Sequence, residues 1–125
     1  MHMLDLGKMM VEQVSKGREG EQQFIKEYYA EDIISIEGLG LGESHGQLEG
    51  IETILEKHNW WYDNNTVHGT DASGPYIGHR DDQFIIRFVL DMTPEGGERM
   101  LMDELVAFTV KDGKISEEEY LYLVG

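Results

Sequence analysis

Two carboxylates and one imidazole stand where the residue pattern otherwise calls for apolar side chains or for solvent. Glu104 interrupts the alternating series Met100, Met102, Val106, Phe108 and Val110. A lone ionised carboxylate among such residues costs several kcal/mol, so it is protonated, paired or put to use. Glu37 closes the β-branched run Ile33, Ile34, Ile36, just before a glycine-rich segment. That position anchors an ionisable group on a rigid element at a pocket mouth. His58 lies in a helical stripe with Ile51, Ile54, Leu55, Trp61 and Tyr62, and an imidazole there can act as acid or base near neutral pH. A carboxyl beside apolar walls has a raised pKa and can shuttle a proton at a carbon next to a carbonyl. Glu37 and Glu104 are the candidate acid–base groups, with His58 assisting. The structural alternatives are specific. Glu37 can pair with a lysine or arginine, Glu104 can bond a tyrosine, an arginine or a tryptophan N–H, and His58 can be a core histidine with one hydrogen bond.

Other chemistries find little support. The chain has no cysteine, which excludes thiol nucleophiles and cysteine-bound zinc. Its five histidines show neither His-x-His nor His-Glu-x-x-His spacing, so no metal is expected. The run Gly38 to Gly42 lacks the lysine of a phosphate loop and reads as a loop or lid over the pocket. Ser35, Ser44 and Ser73 lack a nucleophile signature, and His45 and His68 are weaker candidates than His58. No cofactor is expected.

With 10 basic against 25 acidic residues, the formal net charge is −15. Such a surface repels nucleic acid and anionic lipid, so neither is an expected partner. The run Glu117-Glu118-Glu119 reads as a solvated strand edge or face. No apolar run approaches a membrane span, and residues 1–10 lack the pattern of a secretory signal; a cytoplasmic location is expected.

The elements that would hold these residues follow from periodicity. At 125 residues the chain is expected to be one domain. Helices are predicted over 3–16, from about 20 to Ala30, and from Ile51 to about Asn64. A strand is predicted over 32–37, followed by a flexible connection through Gly38, Gly40, Gly42, Gly46 and Gly50. From Thr66 the period changes to two, with strands near 66–77, 83–93, 98–110 and 115–123. Asp112-Gly113 signals a tight hairpin. The fold class is α+β: three helices packed on a curved antiparallel sheet. Phe84, Ile86, Phe88, Leu90 and Met92 should face inward with the Glu104 series, while Asp91 and Asp103 face out. The outer face also carries Ile85, Val89, Leu101, Leu105 and Ala107, and a sheet apolar on both sides needs cover on both. A homodimer through that face is expected.

The order helix, helix, strand, helix, meander resembles the nuclear transport factor 2-like superfamily, and within it the SnoaL-like group. The resemblance rests on Tyr28-Tyr29-Ala30-Glu31-Asp32-Ile33-Ile34-Ser35-Ile36-Glu37 and on Gly50 to Trp61. It continues through Gly74-Pro75-Tyr76, Asp82-Gln83-Phe84 and Lys111-Asp112-Gly113-Lys114-Ile115. It implies a cystatin-like cone, a bent sheet enclosing an apolar pocket, here lined by Trp61, Tyr62, Phe88, Met102 and Phe108. It also implies a small apolar ligand, and chemistry of the isomerase, dehydratase or polyketide cyclase type. Glu37 falls where the isomerase branch carries its aspartate base. The branch's oxyanion tyrosine has no counterpart, the matching stretch being Glu12-Gln13, and the position of its protonated aspartate falls near Val106. The alternative is a non-catalytic ligand-binding or dimerisation module in the same fold.

Overall fold

The computed structural model describes residues 2–37 and 46–122. The helix α1 (Met3–Val14) is capped by His2, whose Nδ1 accepts from the Leu4 amide at 3.1 Å. Its buried residues Leu6, Met10 and Val14 recur every four positions and face the sheet. The helix α2 (Arg18–Tyr28) follows after a short break. Gly20 makes this corner possible, because a Cβ there would lie 2.3 Å from the Gln13 carbonyl oxygen.

The strand β1 (Tyr29–Glu37) begins three residues earlier than the branched run suggests. Tyr29 and Ala30 leave the helix because the chain is already pairing, Tyr29 opposite Ile115. The segment expected to be purely flexible contains β2 (Gly46–Glu49), antiparallel to β1. The helix α3 (Ile51–Asn64) precedes the four-strand meander β3 (Asn65–Tyr76), β4 (Gln83–Pro94), β5 (Met100–Lys111) and β6 (Lys114–Tyr122). Asp112 and Gly113 both adopt positive φ in the β5–β6 turn, as the hairpin signal predicts.

The strands form one curved, unclosed sheet in the order β2-β1-β6-β5-β4-β3. One feature of the expected antiparallel sheet is corrected: β1 pairs β6 in parallel, so the sheet is mixed. The two strands are far apart in sequence, and only such a long crossover can join parallel neighbours. The pairing also makes β6 an interior strand, flanked by β1 and β5.

The core lies between the helices and the inner sheet face. Leu6, Ile33, Phe84, Ile86, Val106 and Ile115 are fully enclosed, and Phe84 stacks on Phe108 at 5.3 Å. The helix α3 differs from α1: only Ile54 of its stripe is buried, while Leu55, His58, Trp61 and Tyr62 are partly exposed. Its apolar side faces a hollow rather than a packed core. On the other side of the sheet, Leu101 is 68% exposed and Leu105 and Leu121 are also exposed. Among the described residues, no helix is long and apolar enough to cross a membrane.

Candidate functional site

A cavity of about 540 Å³ opens between the inner sheet face, α2 and α3. The volume suits a small organic molecule. Its apolar walls include Phe24, Trp61, Phe88, Leu90, Met102 and Phe108. All eight residues singled out by the sequence, Glu37, Glu104, His58, Trp61, Tyr62, Phe88, Met102 and Phe108, line this cavity. The Gly38–Gly42 loop, Ser44 and His45 lie outside the described residues. His68 is exposed and contacts Thr93 Oγ1 at 2.8 Å, away from the cavity.

The polar residues of the cavity fall into two groups. The first gathers side chains from β1, α3, β5 and β6. Alternation along β5 turns Glu104 inward between Met102 and Val106, opposite Phe88 on β4. Among the described residues it makes no hydrogen bond or ion pair. Burial pushes its carboxyl up to about 7, and the negative charge of Glu37 adds to the effect; Lys57 opposes it and Glu118 reinforces it. Glu37 is paired with the Lys57 ammonium, which also lies 4.6 Å from the Tyr120 ring centroid. Glu37 is therefore the ion-pair partner of Lys57 at the cavity wall.

Glu118 corrects the reading of the acidic run. Only 3% of it is exposed, and it accepts a 2.6 Å hydrogen bond from the buried Tyr29 hydroxyl. Burial, together with the adjacent Glu118 charge, holds the Tyr29 phenol protonated, well above its ordinary pKa. Ser35, level with Glu118 on β1, is fully buried, and its hydroxyl has no partner among the described residues.

The second group joins α2 to α3. Tyr62 donates its hydroxyl proton to Glu21 Oε2, and His58 Nε2 lies 3.5 Å from the same oxygen. Burial, and then the Glu21 charge, push the Tyr62 phenol upward. The His58 and Tyr62 rings pack at 4.9 Å, and the Arg18 guanidinium sits 5.4 Å from the Tyr62 ring centroid.

Sequence reasoning missed Glu21, Tyr29, Lys57 and Glu118. A signal existed for Lys57, three residues after the buried Ile54 and next to His58. Tyr29 and Glu118 depend on the parallel β1–β6 pairing, which leaves no local trace. Glu21 looks like a solvated first-turn acid, in keeping with its place near the α2 N-terminus.

A family model described as SnoaL-like domain matches residues 6–122. A solved structure from Mesorhizobium loti, provisionally named a SnoaL-like polyketide cyclase (carbohydrate phosphatase), is 37% identical. The match covers 98% of this chain and 100% of that one, with a TM-score of 0.87. An NTF2-like protein from Anabaena variabilis is 19% identical over 98% of this chain and 90% of its own, with a TM-score of 0.73. A Xanthomonas campestris protein of unknown function with a cystatin-like fold is 14% identical over 97% and 90%, with a TM-score of 0.76. These two share the fold. A comparison with curated proteins yields no match.

Proposed function

Because this chain belongs to the SnoaL-like domain family, we propose that it carries out cofactor-free proton transfer on a small hydrophobic carbonyl compound, of the isomerase, dehydratase or cyclase type. The observation that carries this reading is Glu104: a carboxyl on a cavity wall, without a partner among the described residues, poised at about 7. A group balanced between its two forms near neutral pH removes a proton from the carbon beside a carbonyl and returns it later. Phe88, Met102, Trp61 and Phe108 provide an apolar bed that keeps water from the carboxyl and holds the carbon skeleton. Glu37, held by Lys57, contributes through its charge on Glu104 rather than as the base.

The test is exchange of α-hydrogens for deuterium in 2-tetralone, followed by proton NMR. The wild-type protein should accelerate exchange, and Glu104→Gln should lose about 100-fold or more of that rate. Equal exchange by both proteins contradicts the assignment.

A second reading, a non-catalytic binding module, is favoured by one observation. Glu37, Glu118 and Glu21 are each already engaged, leaving one free acid among the described lining carboxyls. It predicts binding of the ketone without exchange in the wild type.

We also propose that two copies meet through the outer sheet face, whose exposed Leu101, Leu105 and Leu121 support a self-complementary contact. Sedimentation should give a dimer that Leu101→Asp converts to monomer; a wild-type monomer at high micromolar concentration contradicts this.

A further inference from the structure

The charges around the cavity are arranged so that one sign is open to a ligand. Four carboxyls line it, those of Glu21, Glu37, Glu104 and Glu118, against one ammonium, that of Lys57. Lys57 Nζ is paired with Glu37, lies 4.6 Å from the Tyr120 ring centroid, and has no surface left open. His58 Nε2 is equally enclosed, 3.5 Å from Glu21 Oε2. The Arg18 guanidinium lies outside the cavity lining and pairs with Asp63 at 3.0 Å. Glu104 is different. It has no hydrogen bond or ion pair among the described residues, yet its oxygens are not enclosed as Lys57 Nζ is. Among the described lining residues, the charges left open to a ligand are therefore negative.

A ligand carboxylate entering this space would meet like charge, with no cation to offset the loss of its water. A neutral ketone meets no such penalty. When its α-proton passes from carbon to a Glu104 oxygen, the carboxyl becomes neutral as the enolate oxygen takes up the charge. The cavity then holds the same total charge before and after the step, whereas an anionic substrate adds a second negative charge throughout. We propose that the cavity selects by charge: it admits uncharged carbonyl compounds and excludes carboxylates, with Glu104 as the specificity-determining residue. This rests on the carbonyl reading of the cavity and narrows its substrate class.

Equilibrium dialysis at about pH 8.5, where Glu104 is ionised, compares 2-acetylnaphthalene with 2-naphthoate, which share a ring system and differ in charge. The wild type should bind the ketone about 100-fold or more tighter than the carboxylate. Glu104→Gln, checked for folding by circular dichroism, should narrow that gap about tenfold or more by taking up naphthoate. Asp103→Asn changes the net charge by the same amount on the outer face, and should leave the gap within about twofold. Naphthoate bound by the wild type as tightly as the ketone overturns the proposal, as does uptake of neither compound. A gap unaltered in Glu104→Gln overturns the role of Glu104. Equal narrowing in both variants assigns the effect to the charge of the whole chain and overturns selection by the cavity. Binding is read without turnover, so a failed exchange assay leaves the charge selection standing, and a failed selection leaves the exchange result standing.

Discussion

Asp103 and Glu104 are neighbours on β5, yet they live in different solvents. Asp103 points to the outer face, where Arg87 grips it in a two-pronged contact at 3.0 and 2.7 Å. Those hydrogen bonds hold its carboxyl below the ordinary range. Glu104 points inward, has no partner among the described residues, and is pushed up to about 7 by burial and by nearby acids. One step along a pleated strand reverses the face and with it the sign of the shift. Asp91 repeats the outer pattern with Arg99 at 2.8 and 2.7 Å. Glu118 repeats the inner one but is satisfied by Tyr29. Acids on the outside of this sheet are there for solubility and pairing; among the inner acids of the meander, Glu104 is the one left available.

The largest contrast should appear in chemistry. Glu104→Gln is expected to cut α-proton exchange by 100-fold or more, whereas Asp103→Asn should leave it within about twofold. Similar losses in both variants would break the distinction between faces.

The next effect is on stability against pH. The Glu104 carboxyl titrates at about 7 in the folded protein against 4.5 for an ordinary glutamate. Between those values the unfolded chain has lost its proton while the folded protein still holds it. Folding stability therefore falls as pH rises from 4.5 to 7 and stays reduced above it, by about 3 kcal/mol in total. Urea denaturation across this range should show that slope in the wild type and its loss in Glu104→Gln. Asp103 contributes with the opposite sign, since its lowered pKa favours folding once it is ionised and that support disappears in acid.

Removing the Tyr29 hydroxyl sharpens the comparison between the two inner acids. Tyr29→Phe strands the Glu118 carboxyl inside the core and should cost about 2 kcal/mol in a denaturation experiment. The smallest effect belongs outside: Asp103→Asn should lower stability only slightly, and less in high salt, because the Arg87 pair is exposed.

Much of this arrangement is legible in the sequence, and the reasons are local. Period two in β4 and β5 places Phe84, Ile86 and Val106 in the core and turns Glu104 inward with them. Asp112-Gly113 specifies its own turn. What is not legible depends on distant partners. The Glu117–Glu119 run has the composition of a solvated strand, and only the pairing of β6 with β1 puts its middle member against Tyr29. Glu37 has the position of a base, but Lys57, twenty residues on, claims it. The hydrogen-bonded line through Arg18, Asn59, Gln22 and His58 joins two helices and is invisible until they pack together.

One inner-face carboxyl, that of Glu104, is held near neutrality by its surroundings. A ¹³C NMR titration of the side-chain carboxyl carbons, with Glu104 assigned through Glu104→Gln, reads this directly. A Glu104 midpoint near 7, with Asp103 titrating below the ordinary aspartate range, is the predicted result. A Glu104 midpoint in the ordinary glutamate range, near 4.5, would contradict it.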